Sequence, residues 1–243
     1  MSIPRLFLDH PLKAGREVPA TPQQAHHLGG VLRRAAGDPV LLFNGQDGEW
    51  EARIVSLRKD RASLLPERMT RPQPPPAPGP RLLVSALKRD AMDLVAEKAT
   101  ELGAALIQPV LARRCVADRV NTARLSAIAQ EAAEQCERLD VPRVAAALPL
   151  HAALDAWDRT VPLLVGAERR DAPPLADAAR GLRPPLGWLV GPEGGFERAE
   201  LDDLLRRPFV SPAALGPRIL RAETAAIAGL AVLQALAGDW ANP

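Results

Sequence analysis

The stretch WLVGPEGGF, Trp188 to Phe196, runs an apolar segment straight into a proline, an acid and two adjacent glycines. Pro192 biases Gly191 toward extended backbone, and Gly194 and Gly195 permit positive φ and close approach of a ligand to the main chain. A phosphate-binding turn would need G-x-x-x-x-G-K-[ST] or an early G-x-G-x-x-G. Neither is present, and Glu193 would repel an anion. The loop suits a neutral or cationic ligand gripped by backbone groups, although a plain structural turn would use the same residues.

A second stretch, LGPRILRAETAA (Leu215 to Ala226), combines a glycine, two arginines and the acid Glu223 just ahead of a helical pattern. An acid there is also what complementing a helix dipole would require. A third, EAAEQCERLDVP, gathers Glu134, Gln135 and Arg138 near the end of a helix, where a solvated charged face accounts for them equally well.

The elements that must hold these residues follow from periodicity. In RLLVSAL, ALIQPVLA, VPLLVG, GWLVG and FVSPAALG, apolar runs of strand length alternate with helical patterns. In DAMDLVAEKATELG the residues Met92, Val95, Ala99 and Leu102 share one face and Gly103 is a stop signal. Helices are also expected over TARLSAIAQEAAEQCERL, ERAELDDLLRR and ETAAIAGLAVLQALAG. Apolar strands separated by helices predict an α/β fold with a parallel sheet covered on both faces, whose ligands bind beyond the carboxyl ends of the strands.

Ahead of this region the pattern is mostly β. PVLLFNGQDGEWEARIVSL reads as two strands around an Asp47-Gly48 turn, and RASLLP as another. Thr21, Pro22 and Gln24 form the signature of a capped helix running through QQAHHLGGVLRR. The sum is a β-barrel of about seventy residues with one helix. In PERMTRPQPPPAPGP, Pro66 to Pro80, seven of fifteen residues are proline, which predicts an extended spacer. The expected division is 1–70, a linker at 71–80, and 81–243.

Composition bounds the rest. Of 243 residues, 47% are hydrophobic and 25% charged, enough for a core and a solvated surface. No apolar run is long enough to span a membrane, and the N-terminus lacks the layout of a secretory signal. Cys115 and Cys136 have no metal-binding or disulfide spacing, so no metal and a reducing, cytoplasmic setting are expected. Net charge is only +2, with residues 1–80 holding 11 Lys/Arg against 8 Asp/Glu. That asymmetry is compatible with an RNA-facing N-terminal part and equally with ordinary scatter.

The pair LVGPEGGF and LGPRILRAETAA closely resembles the ribosomal RNA small-subunit methyltransferase E family, the 16S rRNA uracil N3-methyltransferases of the SPOUT superfamily. RLF at Arg5, HHLGGVLR ending at Arg33, FNGQDGEWEARI, KATELGA, QPVLARRC and EQCER…VP follow in the family's order. Glu197 and Cys136 stand where the family often has serine.

The resemblance implies a PUA-like RNA-binding domain, a SPOUT-type sheet with a deep C-terminal trefoil knot, and a homodimer acting on the small ribosomal subunit. It implies S-adenosylmethionine as methyl donor. The donor site falls on Gly166, on Gly191, Pro192, Glu193, Gly194 and Gly195, and on Leu215, Gly216, Ile219 and Leu220. Arg221 or Arg138 would stabilise the uracil anion and Glu223 would orient the arginine or accept the proton. Arg5, Arg33, Lys88 and Arg114, or its neighbour Arg113, would contact RNA. A SPOUT ribose 2′-O-methyltransferase and a non-catalytic ribosome-assembly protein are the competing readings.

Overall fold

The computed structural model describes residues 3–76, 78–167 and 171–241. It divides into two compact units, one of residues 1–77 with 133–141, the other of 78–132 with 142–243.

The first unit is built on a five-stranded sheet. Its strands are β1 (Arg5–Phe7), β2 (Val18–Ala20), β3 (Pro39–Phe43), β4 (Glu49–Arg58) and β5 (Arg61–Arg71), in the order β1-β3-β4-β5-β2. β3 and β4 form the expected hairpin, closed by a loop in which Gly45 and Gly48 take φ of 80° and 77°. The Asn44 side-chain oxygen accepts from the Gln46 and Asp47 N–H groups and fixes that loop. Leu28, Val40, Leu42, Ile54 and Leu64 are buried together as the core.

Two local expectations are corrected. β5 runs through Pro66 to Arg71, into the stretch expected to be spacer. β2 pairs only as far as Leu64, so Pro66 lies where β5 has lost that neighbour and a missing N–H is tolerated. The predicted single helix is α1 (Pro22–His26) followed by a π-turn at His27–Val31. Its start is as the sequence indicates: Thr21 Oγ1 accepts from the Gln24 N–H, and Gln24 Oε1 from the Thr21 N–H. The widening falls on Gly29 and Gly30, residues of low helix propensity, and the His26 ring packs against Gly30. Arg33 follows at a φ of 53°.

Arg5 organises this unit. Its Nε donates to Glu49 at 2.8 Å, and both side chains are only 6% exposed. Its other nitrogens donate to the carbonyls of Ala133, Glu134 and Arg138 at 2.9–3.0 Å, the free C-terminal acceptors of helix α3 (Thr122–Gln135) and its continuation. The guanidinium also lies 4.5 Å from the centre of the Phe43 ring. The last three residues of α3 and the segment after them, 133–141, thereby belong with the β-unit.

The second unit is an all-parallel sheet. Its strands are β6 (Arg81–Ser85), β7 (Leu106–Leu111), β8 (Arg143–Val144), β9 (Leu148–Pro149), β10 (Leu163–Gly166), β11 (Gly187–Val190) and β12 (Val210–Ala213). The order is β12-β10-β11-β6-β7-β8, with β9 also on β7. Successive residues alternate faces: Leu82, Val84, Trp188 and Val190 enter one core, Leu83, Leu163, Val165 and Leu189 the other. Both faces being covered is why the strands read as continuous apolar runs. Each fully buried side chain of this size contributes about 1.5–3 kcal/mol.

Helices α2 (Arg89–Glu101) and α7 (Ala222–Ala237) cover the first face, packing Met92, Val95, Ala226 and Leu230 against it. Helices α4 (Leu150–Asp155) and α6 (Arg198–Leu205) cover the second. A short helix α5 (Leu175–Ala178) joins the first. Trp188 is wholly buried, and its indole N–H donates to the Ala225 carbonyl of α7 at 3.1 Å. The ring fits because Gly229 has no side chain; a Cβ there would lie 2.8 Å from Trp188 Cζ2 and nearer still to Nε1. Gly229→Ala is therefore expected to cost about 1–3 kcal/mol by overpacking. Scanning calorimetry should show a melting temperature lower by roughly 2–10 °C; an unchanged value would mean that the ring is free to move aside.

Among the described residues no helix is long and apolar enough to cross a membrane, and no cluster of His, Cys, Asp or Glu is placed to hold a metal ion.

Candidate functional site

The carboxyl ends of β10, β11 and β12 surround a cavity of about 220 Å³. Gly166 ends β10 and forms one wall, with Trp188 packed directly behind it. The loop after β11 forms the second wall. There the Gly195 N–H donates to the Pro192 carbonyl at 2.8 Å, closing a tight turn over Glu193 and Gly194. Gly195 takes a φ of 67°, a backbone state that L side chains avoid, and open space lies where its Cβ would be. Gly194 does not share that conformation, so of the two glycines that permit a positive φ only Gly195 uses it. Gly191 is small for another reason: a Cβ would come within 3.0–3.3 Å of the Phe196 ring, which folds back to line the cavity. The segment after β12 supplies the last wall, through Leu215, Gly216, Ile219 and Leu220.

Eight of the ten residues expected at a ligand site thus line one cavity. Pro192 is buried beneath the turn and Glu193 is exposed, and neither is among the lining residues. Phe196, Ala213, Leu201 and Arg218 line it without having been singled out from the sequence. Phe196 and Arg218 are adjacent to or inside the quoted motifs, whereas Leu201 was readable only as the apolar face of α6.

Arg221 occupies the N-cap position of α7 and is 86% exposed. Glu223, 17% exposed in the first turn, places a carboxylate oxygen 4.0 Å from Arg221 Nη1. The turn after β7 is stitched to the loop after β11. Arg114 Nη1 donates to the Gly194 carbonyl at 3.2 Å, and Arg113 donates to Glu197 at 3.2 Å and, through its backbone N–H, to Glu200 at 3.1 Å. Cys115, in the same turn, accepts from the Ala112 N–H, and burial pushes its thiol pKa up. Lys88, exposed, stands at the N-cap of α2.

Arg138 lies in the first unit, where its Nε and Nη2 bind Asp140 at 3.1 Å. Arg33 is exposed there. Arg5 is not: its guanidinium, 6% exposed, is engaged by Glu49 and three carbonyls, which gives it a part inside the first unit in place of the surface role expected of it.

The cavity's chemistry is selective. Its described lining is glycine backbone and apolar side chains with one guanidinium, and no lysine is placed for a polyphosphate. This fits a ligand with a flat apolar part held by the main chain.

Residues 77–234 match the RNA methyltransferase domain family, and residues 20–67 the RNA methyltransferase PUA domain. The chain is 32% identical over 238 residues to ribosomal RNA small subunit methyltransferase E of Rickettsia conorii, covering 97% of each. The chain belongs to this methyltransferase E family. The Synechocystis member is 33% identical, over 90% of this chain and 73% of its own length. The crystal structure of the Neisseria gonorrhoeae family member bound to S-adenosyl methionine superposes with a TM-score of 0.86 at 32% identity, over 98% of this chain and 100% of that one. The first unit is accordingly the family's PUA-like domain, and the parallel sheet its methyltransferase domain.

Proposed function

We propose that this protein methylates N3 of a uridine in 16S rRNA of the small ribosomal subunit, using S-adenosylmethionine. The observation that carries the reading is the glycine-walled cavity at the ends of three parallel strands, in a chain that shares its fold with a family member holding that donor. In this reading residues 1–70 bind RNA, 71–80 connect, and 81–243 carry the chemistry as a knotted domain in a cytoplasmic homodimer. Arg33, Lys88 and Arg114 face the RNA, the last while also bracing the donor loop.

Gly166, Gly191, Gly194, Gly195 and the Leu215–Leu220 wall would together hold the donor. When bound, S-adenosylmethionine supplies a methyl group made electrophilic by its sulfonium. The acceptor N3 must lose its proton, because its lone pair is otherwise tied up in the N–H bond and the ring. A positioned base contributes about 10²–10⁴-fold to such a step. Glu223 is placed to orient Arg221 or to take that proton, and Arg221 to offset charge developing on the uracil oxygens. The Asp140 ion pair gives Arg138 a part inside the first unit, so the charge-stabilising role rests on Arg221. The target uridine must be unpaired or flipped out, since pairing buries N3.

Purified protein with labelled donor and small-subunit RNA should yield 3-methyluridine, read by mass spectrometry of digested nucleosides. A methyl group on a ribose 2′-oxygen would replace the base assignment, and no transfer to any small-subunit substrate would leave an RNA-binding protein. Arg221→Ala is expected to lower turnover about a hundredfold; turnover within about twofold of wild type would remove Arg221 from the mechanism.

A further inference from the structure

Among the described residues lining the cavity, Arg218 is the only one with a polar or charged side chain. It follows β12 in the wall segment, with Pro217 before it and Ile219 after it, and all three face the cavity. Its neighbour Arg221 leans toward Glu223, whereas among the described residues Arg218 has no hydrogen bond or ion pair. A guanidinium at the rim of an apolar, glycine-walled cavity attracts an anionic group and repels a cationic one, although Arg218 is exposed and solvent screens part of both effects.

Resting on the donor assignment above, that repulsion is informative. At neutral pH S-adenosylmethionine carries a sulfonium and an ammonium against a single carboxylate. A lone cation in its site would weaken binding unless the carboxylate is the group that meets it. The flat, bidentate fork of arginine matches a carboxylate. We infer that Arg218 binds the α-carboxylate of the donor's methionine tail. The tail is thereby anchored at the 217–219 segment, with the adenosine held by glycine backbone. The uracil anion exists only along the reaction path and is left to Arg221.

Isothermal calorimetry without RNA tests this on the donor and on decarboxylated S-adenosylmethionine, which lacks only the carboxylate. Wild type should bind the decarboxylated compound about 10- to 100-fold more weakly, the range expected for loss of a charge-assisted hydrogen bond. Arg218→Ala should weaken the donor by the same factor and should not weaken the decarboxylated compound, whose two cationic groups no longer meet a like charge. Arg218→Lys should recover part of the loss through charge alone. Equal wild-type affinity for the two compounds would overturn the inference without touching the proposed function, and needs no variant to fold. Arg218→Ala with unchanged donor affinity and a slower single-turnover methyl transfer would likewise overturn it, moving the guanidinium to the acceptor. Wild type that binds neither compound would overturn the proposed function and the inference with it.

Discussion

Gly195→Val is expected to weaken S-adenosylmethionine binding by about a hundredfold or more, with methyl transfer falling in step. A φ of 67° costs an L residue roughly 1–2 kcal/mol, and more for a β-branched one. The loop can relieve that strain only by leaving the turn closed by the Gly195 N–H and the Pro192 carbonyl. A valine that stays in place instead projects its methyl groups into the open space beside the cavity. Either outcome removes the surface that the donor would meet, and about 2.7 kcal/mol corresponds to a hundredfold. Since a Cβ at Gly195 would meet open space, with no core packing to disturb, the melting temperature should fall by only a few degrees. Calorimetric titration with the donor reads the first effect and thermal unfolding the second. Unchanged affinity would mean that the donor binds elsewhere.

Arg5→Ala is expected to have the largest effect on stability, about 3–5 kcal/mol, because it leaves Glu49 as a buried carboxylate without its close partner. Thr70 Oγ1 at 2.9 Å and Arg71 at 3.7 Å remain, the latter half-exposed and too distant to replace it. The carbonyls of Ala133, Glu134 and Arg138 lose their donor in the same step. Chemical denaturation monitors the loss. Arg5→Lys should recover less than half, since an ammonium cannot reach the carboxylate and three carbonyls at once. The salt dependence of RNA binding by folded Arg5→Lys should match wild type, while Arg33→Ala or Lys88→Ala should flatten it. A flattened slope for Arg5→Lys would return Arg5 to the RNA-facing surface.

Both positions show where the sequence was readable. The GPEGG and LGPRIL motifs pointed to Gly195 and to the segment ending at Leu220 because glycine and proline act on their own backbone. The burial of Arg5 was not legible because nothing near it in the sequence signals it. Its acceptors lie 128 to 133 residues away, and Glu49, the residue that neutralises it, is 44 away. The same distance hid the fact that the last residues of α3 and the segment after them, 133–141, group with the β-unit. Arg218 and Arg221 stand three residues apart in one motif, yet one lines the cavity and the other occupies the N-cap position of α7 beside Glu223.

By itself the sequence determined the alternation of strands and helices, the two-faced burial of β6, β10 and β11, the Thr21 cap and the Asp47-Gly48 hairpin. These are set by side-chain period and turn chemistry within a few residues. Only the tertiary structure decided the strand order β12-β10-β11-β6-β7-β8, which brings Gly166, Gly195 and Gly216 to one cavity. It alone decided which arginines are buried, which are paired and which stand at the cavity. Those outcomes depend on what packs beside a residue, and the neighbours arrive from distant parts of the chain.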